Sequence, residues 1–79
     1  MNRVEFVQNL EEMVIMPEIE GSITLETSLD GLVEWDSLAK ISFLAFADRE
    51  LDVNITPTQL EKCKKILDLY NLVSEKIED

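Results

Sequence analysis

The fold of this chain is decided by residues 36–51, DSLAKISFLAFADREL. Apolar residues recur through this stretch at the three- and four-residue spacing of a helix. Phe43 and Phe46 widen the apolar stripe, so we expect the helix to be covered on more than one side. Asp36 stands at the N-cap position, where a carboxylate accepts a hydrogen bond from a free N–H group of the first turn. The pattern predicts a helix that begins at Asp36 and ends near Leu51.

Three further helices are predicted around this one. The first spans Asn2 to about Ile15 and the last spans about Lys65 to Ile77, each with apolar residues along one face. A short third helix runs from Pro57 to about Lys62, because Thr56 before proline is a helix-start signal. The apolar residues expected on the buried faces of the first and last helices are Phe6, Leu10, Met13, Val14, Ile66, Leu69, Tyr70, Val73 and Ile77.

A long loop joins the first two predicted helices. Pro17 and Gly21 interrupt the first helical pattern, and the next helix begins only at Asp36, which leaves a connection of about 20 residues. Apolar residues within the loop are expected to pin it over the helix ends; they are Ile23, Leu25, Leu29 and Leu32. We therefore expect an all-α four-helix bundle with a long first loop and a short third helix, forming a single domain over residues 1–79.

The composition excludes several classes of function. The chain carries 17 acidic and 7 basic residues, a net charge of −10. Nucleic-acid binding needs Lys and Arg, and a membrane span needs about 20 apolar residues in a row, so neither is expected. The chain has no His and one cysteine, Cys63, which argues against zinc sites, disulfides and His-based catalysis. Catalysis by carboxylates stays formally open, but so short a chain has little room for a cleft.

The acidic balance favours partners that present basic patches, although an acidic surface also simply keeps a small protein soluble. Residues 1–36 hold nine acids and one base, whereas the remainder holds eight acids and six bases. The strong net charge argues for a monomer. The first residues, MNRVEFVQNLEE, contain no continuous apolar run, so we expect no signal peptide and a cytoplasmic location.

Residues 29–38, LDGLVEWDSL, resemble the acyl carrier protein family. Asp36-Ser37-Leu38 is similar to the motif in which the serine receives 4′-phosphopantetheine from coenzyme A. The tripeptide alone would be interpreted as a plain helix cap, and the resemblance depends on its context over residues 2–77. That context consists of Leu29 and Leu32 before the motif, Asp48 to Leu51 and Ile55 after the helix, and the spacing of Leu60, Cys63, Ile66 and Leu69.

The resemblance implies a carrier that is a substrate for other enzymes and is not itself an enzyme. Ser37 would be the covalent attachment point of the phosphopantetheine arm, Asp36 would assist the phosphopantetheinyl transferase and its magnesium ion, and Leu38 would be a partly exposed contact. A helix N-terminus suits an attached phosphate because its free N–H groups and dipole favour negative charge. The arm would hold an acyl group as a thioester for acyl-loading and acyl-consuming enzymes with basic docking patches.

The residues around the motif depart from the family pattern. Lys40 and Ser42 stand where many members carry other polar or acidic residues, and Trp35 replaces a small residue before the motif. We expect Trp35 to be either a buried loop anchor or an exposed contact beside the arm. Together with Asp48, these residues are the predicted partner contacts. The departures favour a specialised carrier, in a secondary or surface-polysaccharide pathway, over a housekeeping one.

A long acyl chain would need an apolar pocket between the helices. The candidate lining residues are Ile41, Leu44, Ala47, Ile55, Leu60, Cys63 and Leu69. Each of these is also well explained as ordinary core, and Cys63 is interpreted as a small buried hydrophobe instead of a reactive thiol.

Two alternatives to an acyl carrier stay open. An aminoacyl or peptidyl carrier would use the same arm, although such carriers are often less acidic. An unmodified acidic module that binds a basic partner would need no arm at all. A calcium-binding loop is disfavoured, because Asp30-Gly31 lacks the alternating ligands of an EF-hand.

Overall fold

The computed structural model describes residues 1–17 and 21–78, and these contain four α-helices and no strand. The helices are α1 (Arg3–Asn9), α2 (Ser37–Leu51), α3 (Pro57–Glu61) and α4 (Ile66–Val73). A π-helical turn, Leu10–Val14, extends α1, and a 3₁₀ turn, Ser74–Lys76, extends α4. Residues 18–20 of the predicted loop and the last residue of the predicted domain lie outside the described residues. The predicted all-α class and the order of long and short helices are confirmed.

Reciprocal capping pairs start two of the helices. Asn2 Oδ1 accepts from the N–H of Glu5 at 2.9 Å at the start of α1, and the Glu5 side chain accepts from the N–H of Asn2. Thr56 and Gln59 make the same reciprocal pair before α3, with Pro57 in the first helical position. These pairs satisfy N–H groups that a helix leaves free at its first turn. The predicted start of α3 at Thr56-Pro57 is confirmed.

The π-helical turn at the end of α1 changes which side chains face inward. The N–H of Ile15 donates to the carbonyl of Leu10 at 2.7 Å, a five-residue step that is wider than an α-helical turn. Val14 and Ile15 are buried as a result, whereas Met13 is 37% exposed. The prediction that Met13 lies on the buried face was therefore wrong, because it assumed one unbroken α-helix.

The core draws on all four helices and on the loop. The Phe6 ring packs at centroid distances of 6.3 Å from Phe43, 6.2 Å from Phe46 and 5.8 Å from Tyr70. Aromatic pairs in such geometries add about 0.5–1.5 kcal/mol beyond the burial of their area. Among the described residues no polar or charged side chain is buried, so the core is wholly apolar. None of the described helices has the length and apolarity that a membrane-spanning segment needs.

The long loop is tied to the beginning of α4 by its backbone. The N–H groups of Ile66 and Leu67 donate to the carbonyls of Thr27 (3.0 Å) and Leu25 (2.9 Å), and the N–H of Leu29 donates to Lys64 at 2.7 Å. The four apolar residues predicted to pin this loop do pack on the core: Ile23 and Leu29 are buried, and Leu25 and Leu32 are half-buried.

Candidate functional site

Ser37 is the first residue of α2, and its side chain is exposed. Asp36 is extended at φ −104° and ψ −172°, and its Oδ1 accepts from the N–H of Ala39 at 2.9 Å. The Asp36 carbonyl accepts from the N–H of Lys40 at 3.0 Å. Asp36 is therefore the N-cap of α2, as the sequence predicts.

Two N–H groups at this helix end have no partner within the described part of the chain: those of Ser37 and Leu38. Free N–H groups at a helix N-terminus, with the helix dipole behind them, form a setting that favours an anion. An exposed serine hydroxyl in this position fits the phosphate ester that the family resemblance implies.

The loop before Ser37 is held by two turns and one aromatic contact. The N–H of Leu32 donates to the Leu29 carbonyl at 3.2 Å, and the N–H of Trp35 donates to the Leu32 carbonyl at 3.0 Å. Gly31 supports the first turn with φ at +81°, a conformation that side chains rarely adopt. Trp35 is half-buried, and its ring meets Phe43 edge to face at a centroid distance of 6.3 Å. Trp35 therefore anchors the loop on the core.

A groove of about 270 Å³ opens beside Ser37, between α2 and α3. Its apolar lining comes from both helices, and a lysine and a glutamate contribute the charge. The residues that line it are Ser37, Lys40, Ile41, Leu44, Pro57, Leu60 and Glu61. Three predicted pocket residues, Ile41, Leu44 and Leu60, thus lie together beside the serine.

Ile41 is an exception to the prediction that the pocket residues lie between the helices, since it is 63% exposed. Ala39 and Phe43, which point into the core, lie two positions on either side of it, so Ile41 faces almost the opposite direction. Apolar residues occur all round α2, and periodicity alone therefore could not identify its buried face.

The other four predicted pocket residues, Ala47, Ile55, Cys63 and Leu69, are buried in the core. None of them lines the groove beside Ser37. Burial, together with the nearby negative charge of Asp68, raises the pKa of the Cys63 thiol. This agrees with the interpretation of Cys63 as a small buried hydrophobe.

The predicted partner contacts do not share one face. Asp48 is exposed and lies on the same side of α2 as Ser37, about 16 Å further along the axis. Ser42 is half-buried and lies outside the groove, whereas Lys40 lines it. Leu38 is 70% exposed, in line with its predicted role as a contact residue.

Sequence reasoning missed one exposed residue just before the motif and two residues that line the groove with the serine. Val33 is 85% exposed just before the motif, and Pro57 and Glu61 form the α3 side of the groove. No local pattern marks Pro57 or Glu61, because their position beside Ser37 depends on how α3 packs against α2. Val33 had a weak signal, an apolar residue directly followed by an acidic one in a loop.

Comparison with known proteins gives one similarity along the whole chain. An acyl carrier protein of Petrotoga mobilis (strain DSM 10674 / SJ95) is 28% identical over 79 residues, which cover 98% of this chain and 93% of that protein. No family model matches the chain, and no solved structure matches it. The similarity supports a carrier role in general.

Proposed function

We propose that this chain is an acyl carrier protein whose 4′-phosphopantetheine arm is attached to Ser37. In this proposal the four helices form an acyl-carrier bundle, and residues 1–79 act as one domain. The observation that carries the proposal is the exposed serine on the first turn of α2, next to open N–H groups and a groove. The similarity to an acyl carrier protein along the whole chain supports the same assignment.

The residues at the N-terminus of α2 have different roles in this proposal. The Ser37 hydroxyl oxygen bonds to the phosphorus that carries the pantetheine arm, and the P–O bond of the coenzyme A diphosphate breaks. Adenosine 3′,5′-bisphosphate leaves, and the serine proton passes to solvent. Asp36 keeps the first turn in shape through its bond to Ala39, so the hydroxyl stays at the helix end. The free N–H groups of Ser37 and Leu38 then favour the new negative charge. When attached, the arm supplies a thiol that holds an acyl group as a thioester.

The chain itself acts as a tether and a docking surface. A cargo held on an arm gains effective concentration in whichever active site the carrier docks on. Leu38 and Val33 stand exposed on either side of Ser37, so both are available to a docking enzyme. With a net charge of −10, the carrier would be steered towards transferases and acyl-handling enzymes with basic patches. We place it in the cytoplasm as a monomer, serving a specialised pathway.

The test is loading in vitro. The purified protein is incubated with coenzyme A and a promiscuous phosphopantetheinyl transferase, and its intact mass is measured. We expect the wild type to gain the mass of one phosphopantetheine group and Ser37→Ala to gain none. Ser42→Ala is the matched control, because this second serine lies on the same helix but is half-buried and outside the groove.

The control variant should load like the wild type. A wild type that gains no mass would contradict the proposal, and so would a Ser37→Ala variant that still gains it. A folded but unmodified wild type would favour the acidic interaction module over a carrier.

A further inference from the structure

Ser37 is followed on the next turn of α2 by two very different side chains, Lys40 and Ile41. Residues three and four positions apart are neighbours on a helix surface, about 5–6 Å apart at Cβ, so both flank the serine. Lys40 and Ile41 also line the groove beside Ser37. The attachment point is therefore bordered by one cation and one exposed apolar side chain.

The Lys40 ammonium is not engaged elsewhere in the described residues. It makes no ion pair or hydrogen bond with any of them, whereas Lys65 pairs with Glu26 at 3.7 Å. Lys40 is half-buried, so part of its aliphatic stem is covered while its charge lacks a partner. A half-buried and unpaired cation gains more from a nearby anion than a fully exposed one does.

We infer that Lys40 is the counter-ion of the phosphodiester that joins the arm to Ser37, and that Ile41 packs against the apolar carbons following that phosphate. This inference rests on the proposed function. Phosphopantetheine has a matching order of chemistry, because a phosphate comes first from the serine and a dimethyl-substituted carbon follows closely. Lys40 is thus a positioning residue that biases the arm towards the groove.

The small volume of the groove favours this assignment over a pocket for a long chain. The groove of about 270 Å³ is a surface feature, since Ile41 in its lining is 63% exposed. The core side chains of α2 are covered by the rest of the protein, since Phe43, Phe46 and Ala47 are at most 1% exposed and none of them lines the groove. The groove therefore has room for part of the arm, and the cargo is expected to extend beyond it.

The experiment uses fully loaded protein, with loading verified by intact mass. In the wild type, nuclear Overhauser effects are measured between the Lys40 methylene next to the ammonium and the arm methylene next to the phosphate. In the wild type and every variant, the docked fraction is measured from the relaxation of the arm amides. Lys40→Gln should lower the ratio of docked to free arm about two- to five-fold, the size expected for a partly exposed ion pair. Lys40→Arg should retain docking, and added salt should weaken it in the wild type and in Lys40→Arg only.

Lys76→Gln is the matched control, because Lys76 is exposed and lies outside the groove. Lys76→Gln should leave the ratio of docked to free arm unchanged. If Lys40→Gln loads fully and its arm behaves as in the wild type, the inference is overturned while the proposed function stands. An equal loss in Lys76→Gln would also overturn it, since the effect would then reflect net charge alone. A wild type that cannot be loaded overturns the proposed function itself, and the inference with it.

Discussion

The helices α2 and α4 begin in contrasting ways. At α2, one side chain does the capping: Asp36 accepts from the N–H of Ala39, and the N–H groups of Ser37 and Leu38 have no described partner. The first residue of this helix is an exposed serine. The α2 end is therefore open, in the sense that backbone donors and a hydroxyl face outward without a partner from the described chain.

At α4 the protein itself closes the end. The N–H groups of Ile66 and Leu67 are bound by carbonyls of the long loop. The Asp68 carboxylate accepts from the N–H groups of Lys64 and Lys65 at 2.8 and 3.0 Å. Each backbone N–H group from Lys64 to Asp68 is therefore already bound within the chain.

In the proposed function, this contrast distinguishes a helix end that is structural from the one that carries the arm. An N–H group already bound within the protein has little to gain from an added phosphate, whereas an open one gains a charge-assisted hydrogen bond. Of these two helix starts, the one at Ser37 combines open backbone donors with an exposed hydroxyl, which fits the proposed attachment of the arm.

The largest expected effect on the free energy of unfolding comes from a comparison of two isoleucines, one near the start of α2 and one at the start of α4. Ile66 is fully buried and Ile41 is 63% exposed. Ile66→Ala should lower the free energy of unfolding by about 2–5 kcal/mol, while Ile41→Ala should change it by less than about 0.5 kcal/mol. Urea denaturation followed by circular dichroism measures both.

A small domain has only about 3–5 kcal/mol of stability, so Ile66→Ala can unfold it altogether. Ile66→Val, with an expected loss of about 0.5–1.5 kcal/mol, keeps the comparison measurable. Equal losses of unfolding free energy in the Ile66 and Ile41 variants would contradict the proposed difference between the starts of α4 and α2.

A smaller effect is expected at the cap of the open end. Asp36→Ala removes the hydrogen bond to the N–H of Ala39 and should cost about 1 kcal/mol. Asp36→Asn should cost much less, because asparagine caps helices nearly as well as aspartate. If thermal unfolding showed the Asn variant to be as unstable as the Ala variant, the role of Asp36 as a simple cap would be wrong.

The smallest effect is a pH dependence at the closed end. The hydrogen bonds from the Lys64 and Lys65 N–H groups hold the pKa of Asp68 below its usual range. A carboxyl whose pKa is lower in the folded state stabilises the fold above its unfolded pKa of about 3.9, and this contribution is lost as the pH falls through the folded value.

Asp68→Asn should therefore reduce the loss of stability that accompanies a fall in pH. Unfolding temperatures measured between about pH 6 and pH 2 should fall less steeply in this variant than in the wild type. Asp48→Asn, at an exposed aspartate that caps no helix, is the control and should keep the slope of the wild type. A wild-type slope in Asp68→Asn would show that its carboxylate does not close α4.

Local signals predicted the helix starts but not the contacts between distant segments. Asp36 and Thr56-Pro57 could be identified because capping depends on residues within one turn. The pairing of Leu25 and Thr27 with the start of α4 could not, because it joins segments about 40 residues apart that carry no matching pattern. For the same reason, Pro57 and Glu61 could not be predicted to line the groove.

Two errors had local causes that periodicity does not resolve. Met13 was assigned to the buried face because a π-helical turn leaves no clear mark in the sequence. Ile41 was assigned to the interior because α2 is apolar on several sides, and only its neighbours in space decide which side is buried. The candidate attachment residue itself, Ser37, was available from the motif and the predicted helix start.

We propose that the arm is attached at the open end of α2. Tandem mass spectrometry of the wild-type protein after loading tests this attachment, with the modified residue located by fragmentation. We predict a single phosphopantetheine group on Ser37 and none on Ser22, Ser28, Ser42 or Ser74. An arm located on any of those other serines, or no arm at all, would contradict the account.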